Sequence, residues 1–120
     1  MSPFARILKT AVEATPRAIG GAFAAADGEM VDAYATTDPT DWALLTAHYG
    51  VVLAHLEAAF NTWHFGGPEF FFVEHPTLGV LVQPVGEGYF ALMAVQQPAP
   101  LATALTTLGR AVIELRREMG

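Results

Sequence analysis

The sequence predicts an α/β domain in the order α-β-β-α-β-β-β-α, a five-stranded antiparallel sheet with helices on both faces. Three observations predict it. Apolar residues recur at three- and four-residue steps at the start, in the middle and at the end of the chain. Five short apolar runs separated by turn residues lie between those segments. The last three runs are joined by Pro76-Thr77 and Gly86-Glu87-Gly88, connections too short for parallel crossovers, so these strands are antiparallel neighbours.

The elements follow in order. After Pro3, the spacing of Phe4, Ile7, Leu8, Ala11 and Val12 predicts a short helix, which Thr15-Pro16 ends. Ala18–Ala26 and Glu29–Ala35 read as two strands joined by Asp27-Gly28, a two-residue hairpin signal. In the second strand Met30, Asp32 and Tyr34 are expected on one face, and Val31, Ala33 and Ala35 on the other. A turn-rich break at 36–40 precedes a long helix from about Asp41 to Phe60, capped by Thr40 or Asp41. A loop over 61–68 leads to strands Glu69–His75, Leu78–Val85 and Tyr89–Val95. Their near-continuous apolar runs predict burial on both faces. Pro98 and Pro100 introduce a closing helix to about Met119, with Arg116 and Arg117 in its last turn, where they suit the helix dipole. At 120 residues this is one domain, 1–120, with no linker or repeat.

Composition narrows the function. The chain is 52% hydrophobic and 15% charged, against about 25% charged in an ordinary soluble domain. A chain this poor in charge is expected to hide apolar area against a partner. Cysteine is absent, which removes disulfides, thiolate metal sites and thiol nucleophiles. The only serine is Ser2, too near the start to be held for acyl transfer. No Lys or Arg lies between Ala18 and Gly109, while that stretch carries every carboxylate from Asp27 to Glu87. Such a body repels phosphate backbones, so no nucleic acid is expected as a partner; the charge reads first as that of a mildly acidic soluble protein, and second as an acidic face offered to a basic partner. No apolar run approaches the roughly 18–20 residues of a membrane span, and Arg6 and Lys9 interrupt the start as a signal peptide. A cytoplasmic protein is expected.

Two features ask for a partner. On the central helix Trp42, Leu45, Tyr49, Val52, Leu53, Leu56 and Phe60 form a bulky stripe expected to face the sheet. Ala43, Ala47, Gly50, Ala54 and Ala58 form a small stripe that another helix could approach closely. The strand holding Phe70, Phe71 and Phe72 has no evident neighbour on its far side, and an open edge this aromatic invites aggregation. A two-fold axis satisfies both demands, helix on helix and strand on strand. These eight residues are therefore the predicted dimer interface, in a homodimer or in a heterodimer with a close paralogue.

The hairpin GGAFAAADGEMVDAYA, the helix DWALLTAHYGVVLAHLEAAF, the strand trio and the segment LATALTTLGRAVIELRRE, with its early Leu108-Gly109, resemble the roadblock/LC7 (profilin-like) family over nearly the whole chain. Within it the chain looks most like the bacterial MglB type, its paralogue MglC included. The resemblance implies dimers with a shared sheet and paired central helices. It also implies a scaffold or regulator of a small Ras-like GTPase in a polarity or motility module, with no catalytic residue and no cofactor. MglB-like proteins stimulate the GTPase MglA. Here the central body offers no cation to a nucleotide, so binding to another roadblock protein, such as an MglB-like paralogue, is expected without activation of the GTPase.

Other chemistry fits poorly. His48 and His55 stand two helical turns apart, about 10 Å, too far to share an ion directly, so no metal is expected and they read as interface or edge histidines. Neither Gly20-Gly21 nor Gly66-Gly67 precedes a helix carrying Lys and Ser/Thr, which excludes a phosphate loop. Asp27, Glu29 and Asp32 belong to a hairpin, not to an acid–base pair. Trp63, His64 and Phe65 either form a contact site or fold back under the sheet. The alternative function is a profilin-like or PAS-like small-molecule sensor, which needs an internal cavity with convergent polar groups.

Overall fold

The computed structural model describes residues 1–120. Its elements are α1 (Pro3–Glu13), β1 (Ala18–Ala25), β2 (Met30–Ala35), α2 (Pro39–Thr62), β3 (Phe71–Glu74), β4 (Leu78–Gly86), β5 (Tyr89–Gln96) and α3 (Leu101–Met119). The strands form one antiparallel sheet in the order β2-β1-β5-β4-β3. The chain's long-range step is β1 against β5, which joins the hairpin to the trio and leaves β2 and β3 as the outer strands.

Helices cover both faces, as the unbroken apolar runs require. Alternate residues of the central strands serve different cores. Phe23, Leu81, Ala91, Met93 and Val95 meet Leu8 and Val12 of α1 and Leu108, Val112 and Leu115 of α3. Ala22, Val80, Val82, Phe90, Leu92 and Ala94 meet Trp42, Tyr49 and Leu53 of α2. The two helices of the first face are tied where α1 ends: the Thr15 and Thr107 hydroxyls, both buried, bond at 2.6 Å. Ser2 caps α1, its Oγ accepting the Ala5 N–H.

Several local expectations are corrected. The connection between β1 and β2 spans four residues, 26–29, and of the Asp27-Gly28 pair only Gly28 has positive φ. Asp27 instead turns its Oδ1 to the Glu29 N–H. A bulge between Phe23 and Ala24, opposite Val31, then changes which face Met30 occupies: Met30 packs toward α2, whereas Asp32 and Tyr34 face α1. Helix α2 starts earlier, with Pro39 in its first turn and Asp38 as N-cap, its Oδ1 accepting the Thr40 and Asp41 N–H groups at 2.9 and 3.2 Å. It also runs past Phe60 to Thr62. Strand β3 is shorter than expected, and Phe70 precedes it.

Candidate functional site

The unpartnered surface centres on α2. Its buried residues are Trp42, Thr46, Tyr49, Gly50 and Leu53, a single stripe at helical spacing. On the opposite side Leu44 is 57% and Val51 55% exposed, in line with exposed His48, His55 and Ala58. An apolar stripe of this kind on a folded surface marks a contact face. The predicted small stripe divides against it. Ala43, Ala54 and Ala58 are exposed, whereas Gly50 is buried and Ala47 half-buried. At Gly50 an added Cβ would meet the Phe90 ring at 3.3 Å, and at Gly28 one would meet Ala47 at the same distance. Gly50 and Ala47 therefore serve packing inside the protomer. The solvent-facing stripe is rotated from the predicted one by roughly 80° about the helix axis. Of the bulky stripe, Trp42, Tyr49 and Leu53 do face the sheet, Leu45, Leu56 and Phe60 are half-buried, and Val52 is exposed.

Strand β3 borders this face. Phe71 lies on the α2 side and stacks on Tyr49 with centroids 6.2 Å apart. Phe72 lies on the other side, its ring over Gly79, where a Cβ would collide with it. The two side chains are thus committed to their own sheet, and what β3 leaves open is its backbone. The His75 N–H donates to the Leu78 carbonyl at 2.7 Å, so by alternation the N–H groups of Phe72 and Glu74 point away from β4. Phe70 is 44% exposed just ahead of them. In the preceding loop Trp63 and Phe65 are exposed rather than folded under the sheet.

Tyr49 joins helix and edge strand. Its hydroxyl bonds His75 Nε2 beyond the end of β3, and burial raises its pKa above the usual tyrosine value of 10.0. Folding therefore favours the neutral phenol. This contribution is intact below about pH 10 and is lost as the pH rises through the higher folded-state value. Denaturant melts across that range are expected to show the wild type losing more stability than Tyr49→Phe; parallel losses would contradict the assignment.

No three His, Asp or Glu side chains converge as ligands for a metal ion. The arginines are largely engaged: Arg17 donates to the Gln96 and Gln97 carbonyls, Arg116 to the Val85 carbonyl, and Arg117 pairs with Glu114. The expectation that no apolar run approaches a membrane span is corrected: by length and apolarity α2 qualifies as a membrane-crossing helix. Its buried stripe on the sheet, its Asp38 cap and the Tyr49–His75 bond hold it in the domain instead.

No protein-family profile and no curated protein sequence matches the chain. Solved structures do. A roadblock/LC7 domain from Streptomyces avermitilis superposes with a TM-score of 0.88 at 16% identity, over 96% of each chain. The fold is that of a roadblock/LC7 domain. The gliding protein MglB of Thermus thermophilus gives 0.85 at 16% identity, over 96% of this chain and 87% of its own. MglC of Myxococcus xanthus gives 0.71 at 17% identity, over 98% and 99%. In this roadblock/LC7 fold the exposed α2 stripe and the open β3 edge adjoin at Tyr49 and Phe71. His48 and His55, read from the sequence as interface or edge histidines, lie on this stripe; Leu44 and Val51 were missed.

Proposed function

We propose that the protein is a non-enzymatic, cytoplasmic adaptor and regulator that works as a two-fold dimer, with itself or with an MglB-like paralogue, in a polarity or motility module built around a small Ras-like GTPase of the MglA type. The observation that carries this reading is the apolar stripe of Leu44 and Val51 beside the unpaired backbone of β3. One two-fold axis covers both, pairing α2 with α2 and β3 with β3, with Ala43, Ala54, Ala58 and Phe70 at the seam. The likeness to MglB and MglC supports placing the dimer in such a module.

Regulation by binding, without acceleration of hydrolysis, follows from charge. An arginine finger contributes about 10³–10⁵ in rate and must reach the nucleotide unencumbered. Here the α2 face holds no cation, and Arg17, Arg116 and Arg117 are bonded within the chain. The purified protein is expected to leave GTP hydrolysis by an MglA-type GTPase at its intrinsic rate while co-purifying with a roadblock paralogue from cell extract. A rate increase that disappears in Arg110→Ala or Arg6→Ala would overturn the non-activating role.

A further inference from the structure

The sheet has a second outer strand, β2, which the dimer reading leaves free. Beside it runs a groove of about 390 Å³, lined by Met30, Val31, Ala33, Ala35, Pro39 and Trp42 among others. Three observations about this groove converge. The first is backbone: the Ala33 N–H bonds the Asp32 carboxylate at 2.8 Å, while the Thr36 N–H bonds the Ile19 carbonyl, so Ala33 and Ala35 turn their peptide groups outward from β1.

The second is the indole of Trp42. The residue is 3% exposed, and its Nε1–H is the one buried side-chain polar atom without a hydrogen-bond partner. Buried donors of this kind are ordinarily satisfied, so the chain lacks an acceptor that something else can bring. The third is charge. From Asp27 to Asp41 the chain carries Asp27, Glu29, Asp32, Asp38 and Asp41 and no cation, and Lys9 stands over the Tyr34 ring on the other face of the sheet.

We infer that the β2 edge is a strand-addition site for an extended peptide segment bearing Lys or Arg. The segment's backbone pairs with the outward peptide groups of Ala33 and Ala35, displacing the Asp32 carboxylate from the Ala33 N–H and freeing it for the segment's cations. One of the segment's side-chain oxygens accepts the Trp42 Nε1–H, and its cations answer Asp32, the carboxylate that lines the groove, within the acidic run from Asp27 to Asp41. A second copy of this strand fails the same test, because like charges would face each other across the new pair. The site is independent of what covers β3.

The test uses the whole chain, labelled with ¹⁵N, and a short peptide of alternating lysine and threonine, whose hydroxyls supply the acceptor for the indole. Binding is expected to move the Trp42 indole proton downfield and to protect the Ala33 and Ala35 amides from exchange. A matching peptide with glutamate for lysine is expected to bind at least about tenfold more weakly. Ala33→Pro, which removes an outward N–H, is expected to abolish binding of the lysine peptide. Equal binding of the two peptides, an unmoved Trp42 indole on binding, or no binding at millimolar peptide would overturn the inference. The sedimentation of the unliganded sample reports on the dimer separately.

Discussion

Val51→Arg is expected to convert the proposed dimer into monomer or into precipitate. Val51 lies in the middle of the solvent-facing stripe of α2, between Leu44 and Ala58. Two helices packed through small and apolar residues approach to about 8–10 Å, which leaves no room for a guanidinium at the seam. Burying that charge without a partner costs several kcal/mol, enough to shift a micromolar association by orders of magnitude. Ala54→Arg, a turn away on the same exposed side, is expected to behave alike. Because precipitation alone does not separate misfolding from loss of the partner, Glu74→Pro provides the control. It removes an outward N–H from β3 without touching the pairing to β4, and is expected to weaken the dimer by about tenfold to a hundredfold while circular dichroism stays native. Light scattering that finds wild-type dimers in all three proteins would reject this seam.

Phe90→Ala is expected to produce the largest loss of stability. The ring is fully buried between the sheet and α2, with Gly50 shaped to admit it. Deleting it removes apolar contact and leaves a space that Gly50 has no side chain to fill, which costs about 3–5 kcal/mol. Against the total of about 5–15 kcal/mol typical of a domain, that brings the chain close to unfolding. The same ring holds α2 at its distance from the sheet, so the proposed dimer face loses its support as well. Urea unfolding reads the effect as a lower midpoint with an unchanged slope. A loss under about 1 kcal/mol would show that α2 is positioned by other contacts.

The order of elements was legible because each run repeats at the spacing of its own structure, and the tight links at Pro76-Thr77 and 86–88 allow only antiparallel neighbours. The open edge at β3 was legible for the same reason. The orientation of α2 was not. A helix apolar on all sides gives periodicity nothing with which to choose a face, and the choice is made by Phe90 against Gly50 and by Gly28 against Ala47, contacts between residues far apart in sequence. The second free edge was hidden too. It follows from β1 pairing with β5, and from a bulge opposite Val31 that turns Met30 toward α2. Asp38 as the cap of α2 could have been found, because Pro39 behind it marks the first helical turn.

Sedimentation of the unmodified protein at micromolar concentration addresses the covered face most directly. The expected result is a single species of twice the 12.8 kDa chain mass. A soluble, monodisperse species of 12.8 kDa, with Leu44 and Val51 left in water, would contradict it.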